Sequence, residues 1–434
     1  MKALRIGLCL LAAFAVGAHG VVEVWSESLL EIGAAGLLVL WALVVLRNPG
    51  RKIRWTPLMW PLLGLVGIAC LQLLFRASVY PYLTRVELLK LVACVIFFFL
   101  SVQAFQERAD ITRLAWFLIF LCFAASLLGI IQHFTSEGKI YWIRRPFEGG
   151  DIFGPYVNRN HFAGFVELTL PVALALMVFR GLRRDMFPLA GLLAIVPVGA
   201  LILSGSRGGI ISFALEIGVL ALLARTRRRR GVERPHMAAV GIVALAALAL
   251  VAWLGAGRAM ERFSGLSKDV SLARRGSMFH GAARVFLAHP VAGTGLGTLV
   301  SVFPAYDSAY DGRLIDHAHN DYIELLADMG LLGGLCGAIF LWLLFRDSLR
   351  AFEAEQGHFS RAIHAAAITA IAGLLVHSFV DFNLHIPSNE MLFLLQASLA
   401  VSTPLPSEGR SLRKRVGVRA EEGLEGAEGA RAPS

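Results

Sequence analysis

The chain has 434 residues, 56% of them hydrophobic and only 17% charged, with a formal net charge of +10. Soluble domains carry about a quarter charged residues. The shortfall here sits in charge-poor blocks of roughly 17–25 residues, the length that crosses a hydrocarbon core of about 30 Å. Backbone groups in lipid must pair within their own segment, so the blocks read as helices and the fold class as all-α, a polytopic integral membrane protein. The basic residues lie in short connections between the blocks, which makes them a topology signal and argues against a nucleic-acid partner.

In chain order the expected spans are Leu4–Val21, Leu29–Leu46, Pro57–Phe75, Val86–Phe105, Leu114–Gln132 and His161–Phe179. Six more follow: Met186–Leu203, Gly208–Ala224, Met237–Leu254, Leu326–Phe345, Ala362–Phe379 and Glu390–Val401. That makes about twelve. The first, with its short basic start and small residues, also fits a cleaved leader; either reading puts Val22 outside. With the N-terminus in the cytoplasm, inside segments hold 26 of the 41 Lys and Arg, including the run Arg227–Arg230. Cytoplasmic loops are enriched in these residues, so both termini are expected inside. Cys9, Cys70, Cys94, Cys122 and Cys336 all fall in apolar blocks with no CxxC pair, which suggests neither a disulfide framework nor a zinc site.

Two outside loops are long, about 133–160 and, between the ninth and tenth spans, about 255–321. Such loops are functional or disordered. These are not low-complexity, and 275–288 has helical apolar spacing suited to a membrane surface. The membrane domain is read as 1–403, and the Gly/Glu/Arg-rich tail 404–434 as cytoplasmic and disordered.

Five polar clusters then share the non-cytoplasmic side: YVNRNHFAG (156–164), SGSRGG (204–209), LARRGSMFHGAARVFLAHPVAGTGLG (272–297), DHAHNDYIE (316–324) and HSFVDFNLHI (377–386). ATP and nucleotide sugars are not ordinarily available there. The chain also lacks a Walker loop, an HExxH and a GxSxG elbow. Chemistry on that face needs a substrate that arrives activated, and a lipid-linked pyrophosphate fits. Arginine binds phosphate oxygens bidentately, glycines beside Arg207 let backbone N–H groups approach an anion, and a histidine can take a proton from a hydroxyl.

SGSRGG, the arginine-led helix followed by HPVAGTGLG, and HAHNDYIELLADMGLLGG resemble the O-antigen ligase superfamily, which also holds O-antigen polymerases and bacterial O-linked oligosaccharyltransferases. YVNRNHFAG and HSFVDFNLHIP look like further signatures of its ligase branch, so the resemblance spans about 150–390. It implies a metal-independent, inverting membrane glycosyltransferase without cofactor, in the bacterial inner membrane with a periplasmic active site. The donor would be an undecaprenyl-pyrophosphate-linked glycan, and the acceptor a glycan, lipid A core or protein hydroxyl. The resemblance places the family's arginines on Arg207 and Arg275 and its histidine on His319. Arg274 and His317 are the neighbouring rivals, and Phe279 stands where the family usually has Trp. Arg159, Asn160, His161, Asn320, Asp321, His377 and Asp381 are candidate substrate contacts.

Plainer readings stand beside these. Arg207 suits a snorkelling interfacial arginine, Arg275 a lipid-touching one, Arg159 and His161 a helix anchor, and HAHND a helix cap. His377, Asp381 and His385 fit no standard structural zinc spacing, so no metal is expected. A twelve-helix transporter or flippase is the alternative of another class. It would place polar groups at the midplane and often show internal repeats. No repeat is visible, and Lys90 and Glu216 are the exceptions among few midplane charges.

Overall fold

The computed structural model describes residues 1–145, 151–229, 236–254, 270–310, 312 and 314–402. The expected tail 404–434 and the first part of the large loop, 255–269, lie outside the described residues. Every expected span coincides with a helix to within a few residues: α1 (Lys2–Gly17), α2 (Val24–Leu46), α3 (Met59–Leu74), α4 (Pro81–Ala104), α5 (Arg108–Thr135) and α6 (Arg159–Val178). Then come α7 (Phe187–Ser204), α8 (Arg207–Arg229), α9 (Met237–Leu254), α10 (Val270–Ala288) and the short α11 (Leu299–Val302). The chain closes with α12 (Asp321–Ala354), α13 (His358–His377) and α14 (Pro387–Ala400). Among the described residues nine helices are long and apolar enough to cross a membrane, fewer than the twelve expected. The difference lies in α1, α3 and α14, which form where expected but run only 16, 16 and 14 residues.

The order of burial follows the sequence. α6 is apolar on all sides apart from Glu167 and its polar start, and every residue from His161 to Val178 is buried. A helix apolar all round belongs in a core. α5, α7, α8, α9, α13 and α14 surround it. α2 and α9 instead expose Ile32, Val39, Leu43, Ile242, Leu245 and Trp253. These are the lipid-facing perimeter of a bundle whose other side is packed.

The longest helix is broken. In α12, Gly330 has φ 63° and ψ −162°, a conformation open to glycine alone. The HPVAGTGLG segment fills the break. Thr294 N–H donates to Ala327 O and Gly295 N–H to Asp328 O, each at 3.0 Å; Leu331 N–H donates to Pro290 O at 2.8 Å and Leu332 N–H to Val291 O at 3.2 Å. Gln72 of α3 pins the same loop, donating to Ala292 O and Asp328 O and accepting from Leu296 N–H. Asp328 accepts from the N–H groups of Gly297 and Leu299. Irregular backbone is tolerated beside a membrane helix only when its polar groups are satisfied in this way. The glycine-rich motif is therefore a plug that holds the first two turns of α12 apart from the rest.

Candidate functional site

Four helix ends converge. α6, α8 and α12 begin and α13 ends at one end of the bundle. Each start is capped by its own sequence: Asn158 accepts from Asn160 N–H, Ser206 from Gly209 N–H, and Asn320 from the N–H groups of Tyr322 and Ile323. The glycines of SGSRGG allow the approach. Gly208 leaves no room for a methyl group beside the His377 ring, and Gly209 none beside Ala163.

Asp381, in the turn after α13, is the hub. It is fully buried. Asn160 Nδ2 donates to its Oδ2 at 2.5 Å, and His319 Nδ1 lies 3.2 Å from its Oδ1. Arg275 Nη2 stands 3.6 Å from Oδ2, and His161 Nε2 faces Oδ1 at 3.7 Å. Burial alone would raise this carboxyl's pKa; the facing imidazoles of His161 and His319 outweigh it and hold the group well below the usual carboxylate range. His319 itself has φ 49°, a left-handed conformation uncommon for histidine and held here by the surrounding contacts.

A second cluster lies across the Phe382 ring. His317 stacks on Phe382 with centroids 4.2 Å apart, while His161 and His319 meet the same ring edge-on. His317 Nδ1 bonds Glu324 at 2.6 Å, and His385 Nδ1 bonds Asp321 at 2.8 Å with its Nε2 3.4 Å from Glu324. Burial would lower the two imidazole pKa values. Glu324 reverses this for both, with Asp321 assisting at His385, so that His317 is raised and His385 is pushed up to about 10. The ligand-type atoms of His317, Glu324 and His385 lie within 4.8 Å of one another, a grouping able to hold a metal ion. At 2.6 Å, however, His317 and Glu324 are a hydrogen-bonded pair, too close to share one ion through bonds of about 2.0–2.2 Å at tetrahedral angles.

Two cavities open beside these clusters. A polar chamber of about 510 Å³ touches His161, His317, Phe382, His385, Asn158 and Asp316. An apolar groove of about 650 Å³ runs between α3, α4, α12 and α14, lined by residues such as Leu62, Leu325, Leu341 and Phe393 and ending at Asp321 and His385. His385 and Lys90 border both cavities.

The sequence candidates separate accordingly. Asn160, His161, Arg275, His319 and Asp381 are brought together. Asn320 caps α12 and donates to Phe379 O, and Asp321 holds His385 and accepts from Leu384 N–H. Arg274 turns the other way, onto Asp307 and Ala309 O, so the adjacent arginines diverge. Arg159 pairs with Asp151 outside the hub. His377 bonds Glu167 at 2.8 Å inside the bundle. Arg207 stands at the start of α8, half-buried, one residue from the glycine that abuts His377. Glu324, Phe382 and Glu167 were not singled out from sequence. Glu167 carried a signal, being an acid inside an apolar span.

Residues 192–338 match the family model described as O-antigen ligase. The match covers about a third of the chain and holds Arg207, Arg275, His317, His319 and Glu324; Asn160, His161, His377, Asp381 and His385 lie outside it. No curated protein matches the chain. The expected likeness is borne out over this stretch: this is a multi-helix membrane protein that resembles, through residues 192–338, the O-antigen ligase superfamily of glycosyltransferase-like enzymes.

Proposed function

We propose that the protein is an O-antigen ligase-like glycosyltransferase of the bacterial inner membrane, moving a glycan from undecaprenyl pyrophosphate to an acceptor hydroxyl on the periplasmic face. The observation that carries this reading is the buried Asp381 hub, linked across the Phe382 ring to the His317–Glu324–His385 cluster at the polar end of an apolar groove. The hub holds an imidazole and a guanidinium next to each other, and the groove suits a polyprenyl chain.

With Nδ1–H donating to Asp381, His319 presents Nε2 as the base. Nε2 takes the acceptor proton as the acceptor oxygen bonds the anomeric carbon from the face opposite the pyrophosphate. The sugar–oxygen bond breaks, its electron pair leaves with the pyrophosphate, and the anomeric configuration inverts. Arg275 and Arg207 stabilise the charge that develops on the leaving group. Asn160, which donates to Oδ2, and His161, which faces Oδ1, keep the Asp381 carboxylate fixed. A metal is not needed in this scheme, because the positive charge is supplied by arginine.

O-antigen or exopolysaccharide polymerisation and protein O-glycosylation would use the same donor chemistry, and are alternatives in the acceptor alone. Deletion of the gene and complementation with wild type or His319→Ala, at matched membrane levels, tests the reading. The mutant is expected to fail. Long polymer left on undecaprenyl pyrophosphate would name a ligase or oligosaccharyltransferase, and single repeat units a polymerase. Full complementation of surface and lipid-linked glycans by His319→Ala would overturn the histidine-base reading.

A further inference from the structure

Inside the bundle, away from both cavities, lies a polar group that the proposed chemistry does not use. Glu216 of α8 is 1% exposed, and neither of its carboxylate oxygens has a hydrogen-bond partner. It sits nine residues into α8 from Arg207, about 13 Å along the helix axis. Glycine at 373 makes room for it: a methyl group there would overlap the Glu216 carboxylate. Gly373 is one turn before His377, whose ring bonds Oε1 of the fully buried Glu167 of α6. Glu167 Oε2 is likewise without a partner, as is Ser212 Oγ, one turn from Glu216 on α8. α6, α8 and α13 pack against one another, so these groups face a common interior.

The charges do not balance. Two carboxylates stand against one imidazole, and that imidazole is spent on Glu167. A lone ionised carboxylate in such surroundings costs several kcal/mol or more. Intramembrane acids without a protein partner mark ion or proton sites. Three open carboxylate oxygens and a hydroxyl form a hard, oxygen-only donor set, and the missing charge is +1.

We propose that Glu216 and Glu167 form a binding site for one small monovalent cation, a sodium ion or a proton, within the α6–α8–α13 interior. Ser212 supplies a further oxygen. The other titratable groups that face the pair are His377 from α13 and the Cys122 thiol from α5, with Asp381 beyond His377. The site touches the outer cluster through α13: Asp381 N–H donates to His377 O, and the His377 ring abuts Gly208 beside Arg207. Cation occupancy thereby bears on the geometry of the hub.

The test uses full-length protein in lipid nanodiscs, wild type and Glu216→Gln, and reads the midpoint of thermal unfolding. One arm exchanges sodium for choline chloride at pH 8; the other varies pH from 8 to 6 without sodium. A ligand bound only by the folded state raises the midpoint with its concentration, here on the order of 2 °C per tenfold change. A rise with sodium in wild type that Glu216→Gln lacks assigns a sodium ion. A rise with falling pH that Glu216→Gln lacks, indifferent to sodium, assigns a proton. Equal responses of the two proteins to both variables overturn the proposal. Should Glu216→Gln fail to fold, calorimetric titration of wild type with sodium at pH 8 and pH 6 decides. Absence of both sodium binding and a pH-dependent midpoint in wild type overturns it equally.

Discussion

Replacing Asp381 by asparagine removes one charge and almost no volume, at a position where every neighbour is a donor. Oδ1 receives Phe382 N–H and His319; Oδ2 receives Asn160 and faces Arg275. An amide must point its NH2 at one of these pairs. Turned toward Oδ2's neighbours, it opposes Asn160 and releases Arg275, whose attraction at 3.6 Å is about 4–5 kcal/mol at an effective dielectric of about 20. Turned the other way, it donates to His319 Nδ1, and the imidazole proton moves to Nε2, where the base is needed. Loss of the orienting carboxylate from a histidine–carboxylate pair costs about 10⁴ in turnover. Breaking a buried ion pair on one side costs about 3–5 kcal/mol of stability. Asp381→Asn is therefore expected to insert, to unfold at lower temperature, and to transfer glycan about 10³–10⁴-fold more slowly. The assay is single-turnover transfer from a purified lipid-linked donor in nanodiscs, with unfolding followed on the same samples. Transfer within threefold of wild type would refute the orienting role of Asp381 and with it the assignment of His319 as base.

Arg274→Ala and Arg275→Ala should part company. Both lower the unfolding midpoint, the first by losing its Asp307 bridge and the second by removing a cation from buried Asp381; only the second abolishes transfer, and equal loss of transfer would contradict the split. Gly330→Ala is expected to destabilise by about 3 kcal/mol or more, from its backbone conformation and the overlap of a methyl group with the Val291 carbonyl, seen as a loss of folded protein on size exclusion. His385 binds its proton far more tightly folded than unfolded. The stability it contributes is complete below about pH 6.5, the ordinary histidine range, and disappears as pH rises toward about 10. Glu324→Gln should flatten this decline between pH 7 and 10, and an unchanged slope in thermal unfolding would count against the network.

The helices were legible because lipid enforces a simple rule on length and polarity, and all twelve expected spans are helical. Their number as membrane crossings was not, since α1, α3 and α14 run only 16, 16 and 14 residues, short of a full crossing. Placement of the site followed from topology: the clusters at 156–164, 204–209, 316–324 and 377–386 meet at helix ends. Direction within the site could not be read. Arg274 and Arg275 differ by about 100° around α10, and only the position of α10 against α12 decides which one reaches Asp381. His377 and Asp381 are four residues apart, but α13 ends at His377 and each is bonded to a group from another element. The partner of His317 lay seven residues on, at Glu324, across a turn whose shape the left-handed His319 sets.

The break in α12 connects these facts. An unbroken helix would carry Asp321, Glu324 and Asp328 along one rigid line with the lipid-crossing part. The HPVAGTGLG plug instead satisfies the freed backbone, so the first turns of α12 are positioned by the loop and by Gln72 and not by the span below. Those turns present Asn320 and Asp321 to the turn after α13 and Glu324 to His317, while Leu325 and Tyr322 line the apolar groove. One short segment thus sets both the wall of the groove and the acids that hold the histidines. A shift of the plug would move the polar end of the groove and the histidine clusters together. That is a physical reason for the glycine-rich loop and HAHNDYIE to work as a unit.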